Sequence, residues 1–102
     1  MAFSITETIA DGTATFVLTG ELDAASAPAF REQIEAAAAA HVTKVVLDLS
    51  GLEYMASAGL RVLIYAKQKM GTGVDITLKG TQPMVKDTLE KTGFHHSVTM
   101  VD

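Results

Sequence analysis

Apolar spacing changes several times along this chain, and each change predicts an element. Phe3 and Ile5, with Thr8-Ile9, suggest a first strand. Asp11-Gly12 is a turn signal, and Thr13-Ala14-Thr15-Phe16-Val17-Leu18 follows with β-branched and aromatic character, so the two segments read as a hairpin. Gly20 is expected to end the second strand. Ser26 just ahead of Pro28 marks a helix start. Phe30, Ile34, Ala37, Ala38 and His41 then follow helical spacing, while Arg31, Glu32 and Glu35 face away. The alanine run at 36–40 is strongly helix-forming and would give that helix a thin side for close approach to a sheet.

Val45-Val46-Leu47-Asp48-Leu49 is a nearly continuous apolar run, the pattern of a central strand covered on both faces. A loop is expected over 53–56. Leu60, Leu63, Ile64 and Met70 read as the next helix, closed by Gly71 and Gly73. Val74-Asp75-Ile76-Thr77-Leu78 alternates and should be a strand. Gln82-Pro83 opens a last helix with Val85 and Leu89 on its inner face and Gly93 as its cap. Phe94 packs back, and Val98-Thr99-Met100-Val101 forms an edge strand. The order is β-β-α-β-α-β-α with a final short strand. Strand–helix–strand units favour parallel neighbours, and the opening hairpin makes the sheet mixed, so the fold class is α/β.

Composition narrows the functional classes. The 102 residues suit one domain, 1–102, with a single core. Cysteine is absent, which excludes disulfides and thiolate metal sites and fits a reducing, cytoplasmic location. No run approaches the roughly 20 apolar residues that span a bilayer, and the first residues lack the pattern of a signal peptide. A net charge of −4 argues against direct nucleic-acid binding and against an anionic membrane surface.

The strongest chemical candidate is Ser57, between the loop and the apolar helix. It reads either as an N-cap or as a carrier of phosphate, since first-turn amides and the helix dipole favour an anion there. Ala58 and Gly59 add little bulk beside its hydroxyl. Glu21 and Asp23 of Gly20-Glu21-Leu22-Asp23 read as solvated loop carboxylates or as a recognition edge toward a partner's Arg or Lys. Asp48, inside an apolar strand, reads as a strand-end carboxylate bonded to loop amides, with general acid/base work as a second reading that has no partner in view. His95-His96 resembles a metal pair, but adjacent residues on a strand point to opposite faces. Gly71-Thr72-Gly73 lacks the lysine and spacing of a phosphate loop, and no Gly-x-Ser-x-Gly occurs. No enzyme, cofactor or metal is expected.

Three segments together resemble the STAS domain, and within it the small anti-sigma factor antagonists of bacteria. They are Leu18-Thr19-Gly20-Glu21-Leu22-Asp23, Val45-Val46-Leu47-Asp48-Leu49-Ser50 and Tyr54-Met55-Ala56-Ser57-Ala58-Gly59-Leu60. The resemblance covers nearly the whole chain. It implies a four- or five-stranded mixed sheet with helices packed mainly on one side. It also implies partner switching, in which the unphosphorylated antagonist captures an anti-sigma factor that is a serine kinase and the sigma factor is released. The kinase then phosphorylates the junction serine, here Ser57, and a metal-dependent serine phosphatase resets it. Glu21, Asp23, Met55, Ala56, Ala58, Gly59, Leu60 and Arg61 fall where the family meets its kinase. A homodimer is compatible with this resemblance.

Two positions depart from the family pattern. Ala56 stands where many antagonists carry Asp, and Ala58 where many carry Ser or Thr. Ser57 is therefore the only hydroxyl side chain between Met55 and Val62. A second reading is a constitutive adaptor or scaffold of the same fold, in a stress-signalling assembly or a lipid-transport ATPase. A small-ligand or nucleotide module is a third, weakened by the missing phosphate loop.

Overall fold

The computed structural model describes residues 2–71 and 73–101; Met1, Asp102 and Thr72 of the Gly71-Thr72-Gly73 segment lie outside the described residues. β1 (Ser4–Ala10) and β2 (Thr13–Leu22) form the expected antiparallel hairpin, with Ala10 opposite Thr13. The two turn residues, Asp11 and Gly12, both have positive φ (53° and 76°), the requirement of the tight turn that matches strand twist. α1 (Ala27–Ala39) follows Ser26 as N-cap, with Pro28 in its first turn. β3 (Lys44–Met55) leads into α2 (Ser57–Met70), then β4 (Asp75–Lys79) and α3 (Pro83–Thr92). Gly93, in the left-handed region, closes α3, and a 3₁₀ turn at Phe94–His96 precedes β5 (Thr99–Val101).

The five strands lie in the order β1-β2-β3-β4-β5. Only the β1–β2 pair is antiparallel; β2–β3, β3–β4 and β4–β5 are parallel. This is the mixed α/β sheet that the element order predicts.

β3 is longer than its apolar run suggests, and the reason is local. Val17 pairs with Asp48 and Thr19 with Gly51; Gly20 pairs with Leu52 and Glu21 with Tyr54. Each step inserts one extra residue in β3, the signature of a bulge. The buried residues of β2 keep a spacing of two (Ala14, Phe16, Leu18, Gly20, Leu22). Those of β3 shift from two to three: Val45, Leu47, Leu49, then Leu52 and Met55. The lost alternation imitates a loop, so the loop expected over 53–56 is instead strand up to Met55. For the same reason β2 does not end at Gly20 but continues beside β3 to Leu22.

The core lies between one sheet face and the helices. Phe16, Leu18, Leu22, Phe30, Ile34, Leu47, Leu49, Leu52, Leu63, Leu78 and Leu89 are fully buried. Each such side chain contributes about 1.5–3 kcal/mol relative to exposure. Among the described residues the opposite face is left open. Thr15, Val17 and Thr19 of β2, and Val46 and Asp48 of β3, alternate with the core residues and remain partly or well exposed. The expectation that β3 is covered on both faces is therefore corrected: its apolar run holds Val46 on the open side. The alanine run is corrected too. Ala37 is buried, but Ala36, Ala39 and Ala40 are exposed, and α1 stops at Ala39. His41 sits beyond the helix, exposed, with φ of 55°.

Candidate partner-binding site

The parallel register of β2 and β3 brings the two expected site segments together. Leu22 is opposite Met55 at the strand ends, and the Ala56 amide donates to the Leu22 carbonyl at 2.8 Å. The Asp23 turn thus leaves β2 beside the point where α2 begins.

The turn is built around one carboxylate oxygen. Asp23 Oδ1 accepts from the Ala25 amide (3.1 Å), the Ser26 amide (3.0 Å) and the Ser26 hydroxyl (3.0 Å). The Asp23 amide donates to Ser26 Oγ at 2.9 Å, and the Ala27 amide donates to the Asp23 carbonyl. Asp23 is therefore a structural carboxylate as well as a surface one, which the solvated-loop reading missed. Its Asp-x-x-Ser spacing is the available signal. The Ser26 amide and hydroxyl, donating to the charged form, hold its carboxyl below the usual carboxylate range, with the Ala25 amide adding to them. Glu21, half-buried, precedes this turn at the end of β2.

At α2 the structure corrects one expectation. Ser57 is the first helical residue, and the N-cap is Ala56, in extended conformation (φ −78°, ψ 167°). β3 runs to Met55, so the last extended position falls on Ala56, and a methyl group cannot cap. Among the described residues the Ser57 hydroxyl has no hydrogen-bond partner, and the side chain is exposed. The first turn contains no acidic residue. Its leading amides have no intrahelical acceptor, as at any helix start. The junction therefore presents a free hydroxyl above uncapped donors.

The neighbouring site residues divide by burial. Met55, Gly59 and Leu60 lie beneath the surface and position the junction instead of presenting a side chain. Ala56 and Ala58 are half-buried, and Arg61 is exposed. Ser57, Arg61 and Ile64 share the outward face of α2 at helical spacing. A groove runs from there toward α1, where Arg31 lies 4.2 Å from the Tyr65 ring centroid. Arg31 and Tyr65 were not among the expected site residues. Only the packing of α1 beside α2 reveals them, since their sequence positions are far apart.

Two other candidates resolve locally. Asp48 Oδ1 accepts from the Ser50 hydroxyl (2.6 Å) and amide (3.1 Å) within the first bulge; it lies in mid-strand and bonds a bulge amide, not loop amides at a strand end, because β3 continues to Met55. Those donors, and the charge of Lys79, hold its carboxyl below the usual range. His95 and His96 do not point to opposite faces of a strand. They lie in the 3₁₀ turn with ring centroids 3.9 Å apart. Among the described residues no helix is long and apolar enough to cross a membrane.

Comparison with known proteins agrees with this architecture. The STAS domain family model matches residues 4–102. RsfB of Mycobacterium tuberculosis, an anti-sigma-F factor antagonist, is 40% identical over 73 residues, covering 70% of this chain but only 60% of RsfB. BtrV of Bordetella bronchiseptica, provisionally named an anti-sigma factor antagonist, is 42% identical over 89 residues, covering 82% of this chain and 73% of BtrV. The crystal structure of an anti-sigma factor antagonist from Mycobacterium paratuberculosis superposes with a TM-score of 0.89 at 25% identity, over 97% of this chain and 85% of that one. Unphosphorylated SpoIIAA superposes at 0.82 with 21% identity, over 99% of this chain and 89% of its own, a likeness of fold. The family model's match over residues 4–102 makes this chain a member of the STAS domain family.

Proposed function

We propose that this chain is an anti-sigma factor antagonist that binds a serine-kinase anti-sigma factor and is switched off by phosphorylation of Ser57. The observation that carries this reading is the state of Ser57: exposed, without a hydrogen-bond partner, and first in a helix whose N-cap is alanine. A capping hydroxyl is held in place by the amide from which it accepts; among the described residues nothing holds this one, so it can turn toward a kinase. The relatives RsfB and BtrV carry the antagonist name, and the SpoIIAA fold has been solved both without and with phosphate.

Phosphate here would add about −1.5 to −2 charges at neutral pH. The α2 dipole and first-turn amides would stabilise that charge, so the domain would not need to unfold to accept it. A partner docked over Asp23, Ala56 and Ala58 would meet new bulk and charge at the centre of the contact. The chain is substrate and binding partner in this scheme, not a catalyst. A metal-dependent serine phosphatase would restore the unmodified form, and the exchange would take place in the cytoplasm.

The test is phosphoryl transfer from magnesium–ATP with the anti-sigma factor kinase of the same genome, followed by site mapping and binding. The expected result is one phosphate, on Ser57, and loss of the complex. Transfer to another residue, or an unchanged affinity after transfer, contradicts the proposal.

A further inference from the structure

We infer that the groove between α1 and α2 receives an acidic segment of the protein partner, with carboxylates held by Arg31 and Arg61 and an apolar side chain on the floor between them. This rests on the partner-binding role proposed above and names the half of the partner surface that the junction itself does not supply.

The groove has a volume of about 370 Å³, room for one or two side chains and open at the surface. Its floor is built from small apolar residues, Ala27 and Pro28 on α1 with Ala58 and Val62 on α2. Alanine at 58 keeps the floor low and makes it continuous with Ser57. An apolar side chain lying there would exclude water from the contacts around it, the setting in which interface charges matter most.

The rim is cationic in a chain of net charge −4. Arg31 and Arg61 both line the groove, and among the described residues neither forms an ion pair. Arg31 is nonetheless held in place. Its guanidinium lies over the Tyr65 ring, and the Tyr65 hydroxyl donates to Glu35 Oε2 at 3.1 Å. A guanidinium oriented in this way, with no ion pair among the described residues, is prepared for a carboxylate, which it can take in bidentate fashion. Charge complementarity therefore selects an acidic partner segment over a basic or neutral one.

The position of Arg61 connects the groove to the switch. It stands four residues after Ser57, one turn along the same face. Phosphate on Ser57 would repel the incoming carboxylates and attract Arg61 away from them. One modification would thus weaken both halves of the surface.

The experiment is titration of the full chain with the anti-sigma factor kinase of the same genome, at low and high salt. Arg31→Glu and Arg61→Glu are compared with wild type and with Lys86→Glu on the exposed side of α3. Each arginine reversal is expected to weaken binding at least about tenfold and to flatten its salt dependence, with Lys86→Glu within about twofold of wild type. Circular dichroism of each variant confirms that it is folded, and Arg61→Lys, which keeps charge but not the fork, should recover part of the loss. If wild type binds while both arginine reversals bind within about twofold of it, the groove inference is overturned and the antagonist reading stands. If wild type binds no anti-sigma factor, both are overturned.

Discussion

A Cβ added to Gly59 would lie 2.6 Å from Cγ and 2.7 Å from Cδ2 of Leu22, with Met55 Cγ at 3.3 Å. Leu22 is fully buried and cannot swing aside. The absence of a side chain at Gly59 is thus what seats the first turn of α2 against the end of β2, and so sets Ser57 beside the Asp23 turn. Gly59→Ala should destabilise the fold by about 1–3 kcal/mol through overpacking. Urea denaturation measures this, with Gly73→Ala as control: among the described residues, its chain neighbours aside, no atom lies within 4 Å of its added methyl, and the change should stay within about 0.5 kcal/mol.

Among the described residues the Ser57 hydroxyl has no hydrogen-bond partner. Ser57→Ala should therefore leave stability within about 0.5 kcal/mol of wild type while abolishing phosphoryl transfer. Ser57→Asp places a carboxylate at the α2 N-terminus and should stabilise it by about 0.3–1 kcal/mol. It should also lose anti-sigma factor binding. Denaturation and titration of the same two variants separate the structural from the functional outcome.

The bulged part of β3 makes a sharp local contrast. Leu52 is fully buried and Glu53, the next residue, is exposed. Leu52→Ala should cost about 2–5 kcal/mol, because the strand around it is fixed by pairing with β2. Glu53→Ala should stay within about 0.5 kcal/mol. If residues 52 and 53 lay in a loose loop, the two substitutions would have similar small effects on thermal or urea stability.

Asp23 and Asp48 both titrate below the usual carboxylate value in the folded chain. A depressed folded pKa means that the unfolded chain binds its proton first as pH falls. The stability these groups contribute is therefore complete above about pH 4–5 and is lost as pH falls through the folded values. Wild-type stability should be level at neutral pH and decline below roughly pH 4. The Asp23→Asn/Asp48→Asn double variant keeps acceptor oxygens but no charge, and should decline less steeply. Denaturant midpoints across an acid pH series measure the difference.

Elements whose signals are local were legible before the fold. Asp11-Gly12 marks the hairpin, Ser26 with Pro28 marks α1, and Gln82-Pro83 with Gly93 brackets α3, because turn and cap chemistry acts within a few residues. The reach of β3 was not legible. Its bulges exist only against β2, and they break the alternation by which a strand is recognised. The N-cap was misplaced by one residue for the same reason, since the extended backbone persists to Ala56. At the site, the Ser57 and Asp23 segments could be named from motif, but their adjacency required the Leu22–Met55 register. Arg31 and Tyr65 required the packing of two helices, which no spacing rule in either one contains.

Partner capture is proposed to be switched at Ser57. The most direct measurement is the affinity of the chain for the proposed partner, the anti-sigma factor kinase of the same genome, before and after phosphoryl transfer, with the modified residue mapped by mass spectrometry. Phosphate on Ser57 alone is expected, with an affinity reduced at least about a hundredfold, or roughly 2.7 kcal/mol. Phosphate at another position, or a phosphorylated chain that binds as tightly as the unmodified one, would contradict the proposal.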